Sequence, residues 1–253
     1  MIQVLNTFKE FFKGYEDRYT LIGGVACYLS MEDAGLDFRA TKDLDIVLCT
    51  EALDAEFAQR FWTFIKAGEY EHQEKSTRDK QFYRFTKPAS TDYPVMLELF
   101  SRKPEDVLLE GDADLTPIPV DEDVSSLSAI LLEDDYYYQC IQDGKEILDG
   151  VSILKVEYII PFKMKAWSDL TQRKANGDKV DSKNIKKHKN DVLKISQLLS
   201  PQLQVELPDS IKDDMRIFIA GIADDAVDMK NLGLAGLTLK QIIDSIHAIY
   251  RLN

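Results

Sequence analysis

One short stretch, residues 21–48, constrains this chain more than any other. It holds the paired glycines Gly23 and Gly24 and then, after a short connection, a strand-like run that contains Asp43 and Asp45. Side chains of a strand alternate between its two faces, so the two aspartates are predicted to share one face while their apolar neighbours share the other. The glycines open a predicted helix, which places its first backbone N–H groups close to the carboxylates.

Two carboxylates beside exposed backbone N–H groups are suited to holding Mg²⁺ and a nucleoside triphosphate. Gly23 and Gly24 allow the backbone to approach phosphate closely, and the positive end of the following helix favours an anion. Arg39, Thr41 and Lys42 lie just upstream of the acids and are candidates to contact phosphate or to order the loop. Nucleotidyl transfer, which needs in-line geometry and neutralised charge more than a protein nucleophile, is therefore the leading hypothesis.

A third acid, Glu98, lies alone between apolar neighbours in the run Pro94–Phe100. A charge in the middle of an apolar strand is costly unless it is paired or coordinates an ion. Glu98 is therefore predicted to join Asp43 and Asp45 as a metal ligand. The alternative is a face-alternating edge strand with Glu98 in solvent.

The bulk properties limit the classes of protein that remain. A length of 253 residues fits one large domain or two small ones, and a formal net charge of −13 argues against a general nucleic-acid coat. Cys27, Cys49 and Cys140 lack metal-ligand spacing and are expected to be reduced, buried thiols of a cytoplasmic protein. Neither a signal peptide nor a membrane span is expected.

A basic run at 183–194 is either a solvated helix face or a site for a phosphate-bearing acceptor.

Hydrophobic periodicity predicts a strand-rich first part and a helical second part, with the boundary near residue 160. Helices are predicted over 3–18, 24–34, 51–67, 162–173, 184–200, 209–228 and 238–251. Strands are predicted over 19–22, 41–49, 81–86, 94–100, 129–132, 136–141 and 151–160, with a connection at 101–123 and turns at Asp143-Gly144 and Asp149-Gly150. Pro161 is interpreted as a helix start. The predicted domains are residues 1–160 and 161–253.

The first motif also carries a family resemblance. Gly23-Gly24 followed by Thr41-Lys-Asp43-Leu-Asp45-Ile resembles the signature of the polymerase-beta-like nucleotidyltransferase superfamily, and more narrowly the AbiE-type (AbiEii-like) toxin nucleotidyltransferases. Two later segments match further motifs of that group. Lys163 is followed ten positions on by Arg173, and Lys189-Asn-Asp191 precedes an apolar helical segment.

The resemblance implies roles for these residues. Asp43 and Asp45 would bind metal, Lys163 would contact the triphosphate, and Asp191 would be an active-site carboxylate or would orient Lys163. Two departures stand out. Gly24 occupies a position where the superfamily often has serine, and Glu98 replaces the more common aspartate.

The resemblance further implies an α+β nucleotidyltransferase fold, with a mixed β-sheet, flanking helices and a helical C-terminal domain that closes the cleft. The expected reaction is Mg²⁺-dependent transfer of a nucleoside monophosphate from an NTP to an acceptor hydroxyl on a tRNA 3′ end, a protein or a small molecule. A toxin with an antitoxin protein as partner is one form of this expectation. The alternatives are a non-catalytic module that binds a nucleotide or a partner, and an antibiotic-modifying nucleotidyltransferase.

Overall fold

The computed structural model describes residues 2–49, 55–76, 81–101, 116–118 and 134–252. Two compact units divide the chain. The first consists of residues 1–29, 39–121 and 145–154, and the second of residues 30–38, 122–144 and 155–253. The predicted strand 129–132 lies outside the described residues.

The first unit contains a mixed β-sheet with helices. In chain order its elements are α1 (Ile2–Phe12), β1 (Tyr19–Ile22), α2 (Gly23–Asp33, which continues into the second unit), β2 (Asp43–Leu48), α3 (Ala55–Gly68), β3 (His72–Ser76), β4 (Gln81–Thr86), β5 (Met96–Ser101), β6 (Thr116–Ile118), β7 (Lys145–Leu148) and β8 (Val151–Leu154). The eight described strands form one sheet in the order β6-β3-β4-β5-β2-β1-β8-β7. The predicted α+β architecture with a mixed sheet is confirmed.

The register of the central strands fixes which residues are neighbours across the sheet. Strand β2 pairs antiparallel with β1 and parallel with β5, so Asp45 is aligned with Ile22 on one side and with Glu98 on the other. Strand β4 pairs antiparallel with β5 and places Arg84 opposite Glu98. Aligned residues of paired strands point to the same face of the sheet. Asp45, Glu98 and Arg84 therefore form one polar row across three strands.

Aromatic side chains of the two helices α1 and α3 pack against the opposite face. Phe8 of α1 contacts Tyr19 of β1 edge-on, with ring centroids 5.2 Å apart. Phe61 of α3 lies 6.0 Å from Phe85 of β4. Tyr19 pairs with Leu48, which lies on the face of β2 away from the aspartates. One face of the sheet is thus buried by apolar packing, and the other carries the polar row of Asp45, Glu98 and Arg84.

The second unit is helical. Its helices are α4 (Asp135–Asp143), α5 (Val156–Ala175), α6 (Ser182–Ile195), α7 (Asp209–Ile222) and α8 (Leu239–Tyr250), with a 3₁₀ turn at Ser196–Leu198. Trp167 of α5 packs edge-on against Phe218 of α7, with centroids 5.1 Å apart. A Cβ atom at Gly221 would lie 2.5 Å from the Trp167 ring, so the indole fits because that position of α7 has no side chain. Among the described residues, no helix is both long and apolar enough to cross a bilayer.

The strand predicted over Tyr136–Ile141 is wrong, because this segment lies within the helix α4. Asp134 caps the helix: its carboxylate accepts hydrogen bonds from the backbone N–H groups of Tyr136 and Tyr137 at 2.8 and 3.3 Å. The residues that this helix buries are Tyr137, Tyr138, Cys140 and Ile141, which follow helical and not alternating spacing. The turn predicted at Asp143-Gly144 is the C-terminal cap of α4.

The strand predicted over Val151–Ile160 is correct only as far as Leu154, where β8 ends. Helix α5 begins at Val156, so Pro161 lies inside the helix and does not start it. Proline has no N–H to donate to the carbonyl four residues earlier, which belongs to Glu157. That carbonyl accepts a hydrogen bond from the Tyr250 hydroxyl at 2.7 Å instead. A donor from the last helix of the chain thus compensates for the proline.

The remaining differences concern the ends of elements and the short strands. Helix α1 ends at Phe12, six residues before the predicted end at 18, and α7 ends at Ile222, six residues before 228. The predicted turn at Asp149-Gly150 is confirmed, since it joins the antiparallel strands β7 and β8. The sequence analysis predicts none of the strands β3, β6 and β7.

Candidate functional site

Asp43 and Asp45 share the polar face of β2. Both side chains are partly exposed, whereas Leu44 and Ile46 on the opposite face are each only 1% exposed. Residues two apart in a strand are separated by about 6.6 Å along the chain. Two oxygen-rich side chains at this spacing, accessible to solvent and backed by a buried apolar face, can reach a common cation.

Gly23 lies directly against Asp45. It is the first residue of α2 and has φ of +67°, a conformation that favours glycine. A Cβ atom at this position would lie 2.0 Å from Asp45 Oδ2. The Asp45 carboxylate therefore occupies the space that the side chain of any other residue at position 23 would fill. This space lies at the N-terminus of α2, which is the positive end of the helix dipole.

Gly24 and the 39–42 segment complete the surroundings of the carboxylates. A Cβ atom at Gly24 would lie 3.3 Å from the side chain of Thr41, a tight contact. Thr41 Oγ1 accepts a hydrogen bond from the backbone N–H of Asp43 at 3.4 Å. The Lys42 carbonyl accepts one from Val95 at 3.1 Å, while the Lys42 side chain is exposed. The structure thus brings the glycine pair, Thr41 and the two aspartates together in the first unit.

Glu98 is buried and ion-paired. Its side chain is in an interior strand, between β2 and β4, and the residue is 3% exposed. Arg84 donates to Glu98 Oε1 from Nε at 2.9 Å and from Nη2 at 2.6 Å. The alternative of an edge strand with Glu98 in solvent is therefore wrong. Within the ranges that the structure describes, no three or more histidine, cysteine, aspartate and glutamate side chains form a metal-binding group.

Sequence reasoning missed Arg84. The signal was present, because Arg84 is a single cation in the alternating run Gln81–Thr86 and Glu98 is a single acid in the next strand. Only the antiparallel register of β4 and β5, which aligns the two residues, identifies them as partners.

Lys163 and Asp191 form a buried ion pair in the second unit. Lys163 Nζ on α5 donates to Asp191 Oδ2 on α6 at 2.8 Å, and the two side chains are only 2% and 3% exposed. The alternatives of a surface lysine near a helix start and of a helix-surface acid are therefore wrong. Arg173, the other basic residue of this motif, forms an exposed ion pair with Asp178. Lysine and aspartate are rarely buried unless they are paired, and these two are paired with each other.

Lys165, two residues after Lys163, belongs to a second polar network. Lys165 Nζ donates to Asp214 Oδ1 at 2.9 Å, and the Tyr137 hydroxyl donates to Asp214 Oδ2 at 3.1 Å. Burial works to lower the pKa of Lys165, but the hydrogen bond to Asp214 and the charge of Asp169 outweigh it and raise the pKa. Burial raises the pKa of Asp169. This network joins α4, α5 and α7 within the second unit.

The basic run lies on α6. His188 and Asp191 are on its buried side, whereas Lys183 and Lys186 are exposed. Lys189 pairs with Asp225 at 2.5 Å. The run is thus an exposed helix face opposite a buried one, and both of its interpretations, a solvated face and a phosphate-binding face, are compatible with that position.

The comparisons with known proteins give distant similarities. No protein-family model matches the chain, and no curated protein matches it. Similar solved structures include a nucleotidyltransferase-like antigen of Paracoccidioides brasiliensis (16% identity, 88% of this chain and 87% of that one, TM-score 0.41). Two others are the antibiotic-resistance factor ANT(2'')-Ia (12%, 87% and 90%, 0.37) and a proposed nucleotidyltransferase from H. pylori (16%, 99% and 94%, 0.31).

Proposed function

We propose that this protein is a Mg²⁺-dependent nucleotidyltransferase that moves a nucleoside monophosphate from an NTP to an acceptor hydroxyl and releases pyrophosphate. One observation carries the proposal. The partly exposed carboxylates of Asp43 and Asp45 share a strand face, and Gly23 leaves room for Asp45 at the N-terminus of α2. A cation and a triphosphate are the ligands that this combination of charges fits.

The residues present fit the ion. Mg²⁺ prefers oxygen ligands and keeps several waters, so two carboxylates and the phosphates of the substrate are a sufficient set. When bound, the ion would neutralise charge on the reacting phosphate and orient it. Asp43 and Asp45 would hold it, and the buried apolar face behind them keeps β2 in place.

The surrounding groups are proposed to bind the triphosphate. Gly23 and Gly24 offer backbone N–H groups at the first turn of α2, which orients its dipole toward an anion. Arg39, Thr41 and Lys42 supply two positive charges and a hydroxyl in the segment before β2. The motif resemblance of Lys163 and Asp191 supports a further proposal, in which Lys163 contacts the triphosphate and Asp191 orients Lys163.

The central experiment measures the affinity of the protein for Mg·NTP by calorimetry. The double variant Asp43→Asn, Asp45→Asn keeps the size of both side chains and removes their charges, so affinity should fall by more than about tenfold. Asp33→Asn, an exposed aspartate at the end of α2, is the matched control and should leave affinity unchanged. Unchanged affinity in the double variant would show that the carboxylates do not hold the metal.

A transfer assay separates an enzyme from a binding module. The protein, Mg²⁺ and α-³²P-labelled NTPs would be incubated with RNA, with protein and with amino sugars, and labelled acceptor would be measured. Label in one acceptor class identifies the enzyme and its acceptor. NTP binding that depends on Asp43 and Asp45 but gives no label in any class would favour the non-catalytic alternative.

A further inference from the structure

We propose that Thr41 is a positioning residue, whose side chain links the first turn of α2 to β2 and helps to hold Asp43 in place for the metal ion. The inference rests on the proposed function for the presence of that ion. It goes beyond a contact of Thr41 with the triphosphate, because the threonine then acts on metal binding before any nucleotide is present.

The side chain of Thr41 lies against the start of α2. A Cβ atom added at Gly24 would lie 3.3 Å from each of three Thr41 atoms, Cβ, Cγ2 and Oγ1. Gly24 is outside the left-handed region of φ, so its backbone conformation is open to other residues. What an alanine at position 24 would change is therefore its contact with Thr41.

The same side chain contacts the beginning of β2. Thr41 Oγ1 accepts a hydrogen bond from the backbone N–H of Asp43 at 3.4 Å. Between these two residues, the Lys42 carbonyl accepts a hydrogen bond from Val95 at 3.1 Å, which aligns the segment with the neighbouring strand. Thr41 and Asp43 are both partly exposed, whereas Lys42 is exposed. Thr41 thus bridges a glycine at the anion-binding end of α2 and a proposed metal ligand.

This bridge has a chemical consequence. Ligand atoms must be held to within about 0.5 Å of the productive geometry, so a hydrogen bond to the backbone of a ligand residue affects metal affinity. A hydroxyl has one donor hydrogen and two acceptor lone pairs. The Thr41 hydroxyl can therefore accept from Asp43 and still donate to a phosphate. The two roles differ in what they do to metal binding without nucleotide.

The first test measures Mn²⁺ binding by electron paramagnetic resonance, with no nucleotide present. Thr41→Val keeps the shape of the side chain and removes the acceptor for Asp43, so affinity should fall by about threefold to tenfold. Thr41→Ser keeps the hydroxyl and should stay within about twofold of the wild type. Thr63→Val is the matched control, because Thr63 is exposed on α3 and its hydroxyl donates to the Gln59 carbonyl. Its Mn²⁺ affinity should be unchanged.

The second test acts on Thr41 from α2. In Gly24→Ala the methyl group presses on Thr41 and displaces its hydroxyl, so Mn²⁺ affinity should fall by about threefold or more. The urea midpoint should change little, because the higher helix propensity of alanine offsets this pressure. A merely structural contact would change the midpoint and leave Mn²⁺ affinity as it is. In the Thr41→Val background, Gly24→Ala should cause less than about a twofold further loss, since the hydroxyl is already absent.

The outcomes separate the two proposals. Wild-type Mn²⁺ affinity in a folded Thr41→Val, with weaker Mg·NTP binding, would overturn this inference and leave the proposed function intact. Wild-type Mn²⁺ affinity in Gly24→Ala would also overturn the inference, whether or not Thr41→Val folds. Unchanged affinity in both Asp43→Asn and Asp45→Asn, or no saturable Mn²⁺ binding to the wild type, would overturn the proposed function and this inference with it.

Discussion

Gly23 and Asp45 share a space that holds only one side chain. A Cβ atom on Gly23 would lie 2.0 Å from Asp45 Oδ2, and Gly23 has φ of +67°. The glycine therefore serves two purposes, since it lets the chain turn from β1 into α2 and leaves the carboxylate its position. The two effects can be separated, because Gly35 has nearly the same φ, +69°, and no atom within 4 Å of the added Cβ.

We expect Gly35→Ala to cost about 1–2 kcal/mol of unfolding free energy, the cost of the left-handed conformation alone. Gly23→Ala should cost a further 1–3 kcal/mol or so, because the methyl group displaces Asp45. It should also weaken Mn²⁺ binding by about tenfold, whereas Gly35→Ala should not. Urea unfolding and a Mn²⁺ titration measure the two effects. If Gly23→Ala and Gly35→Ala lost the same stability and the same Mn²⁺ affinity, the contact between Gly23 and Asp45 would have no functional effect.

The buried pair of Lys163 and Asp191 gives a second prediction. Removing one partner takes this ion pair away from a buried charge, so Lys163→Met and Asp191→Leu should each cost about 3–5 kcal/mol of unfolding free energy. The double variant should recover most of that loss, because it replaces an ion pair by apolar packing. Arg173→Met is the control, since it breaks the exposed pair with Asp178 and should cost about 1 kcal/mol or less.

The same variants test the proposed role of Lys163. If Lys163 contacts the triphosphate, the double variant should be stable but should bind Mg·NTP more weakly than the wild type. A stable double variant with wild-type nucleotide affinity would restrict the pair to a structural role.

The cysteines give a third prediction. Cys27, Cys49 and Cys140 are 0%, 1% and 6% exposed, and all three are outside any disulfide. Burial, with a contribution from Asp143, raises the pKa of Cys140 to about 12, so its thiolate is scarce at pH 8. We expect a chromogenic disulfide reagent to react slowly with the native protein at pH 8 and with three thiols after unfolding. Rapid reaction of one native thiol would contradict the burial of that cysteine.

The central sheet could be predicted from the sequence because its signals are local. The alternation of polar and apolar residues over 43–46 assigns Asp43 and Asp45 to one face of β2, and the glycines mark the turn into α2. The strand prediction for 136–141 is wrong because three consecutive tyrosines have high strand propensity, whereas the cap from Asp134 and the helical spacing of the buried residues favour a helix.

The features that local sequence patterns do not predict are contacts between residues that lie far apart in the chain. Arg84 and Glu98 meet only through the register of β4 and β5, which neither strand encodes alone. Lys163 and Asp191 meet through the packing of α5 on α6, and in the sequence only the family resemblance relates them. Pro161 suggests a helix start, and the residue that allows it inside α5, Tyr250, lies at the far end of the chain.

Tyr250 therefore gives the last prediction. Its hydroxyl is the donor to the Glu157 carbonyl that Pro161 leaves without an i+4 partner, and the tyrosine is 0% exposed. Tyr250→Phe should cost about 1–2 kcal/mol of unfolding free energy, because it leaves a carbonyl without a donor. Tyr136→Phe, at a side chain that is 56% exposed, should change stability by less than about 0.5 kcal/mol.

A double-mutant cycle with Pro161→Ala tests the compensation itself. Alanine at 161 restores a backbone N–H that can donate to the Glu157 carbonyl, so Tyr250→Phe should cost less in that background than in the wild type. Urea unfolding of the four proteins gives the coupling free energy, which we expect to be about 0.5–1.5 kcal/mol. Additive effects of the two substitutions would show that the Tyr250 hydroxyl contributes independently of the proline, and that the helix accommodates Pro161 without its help.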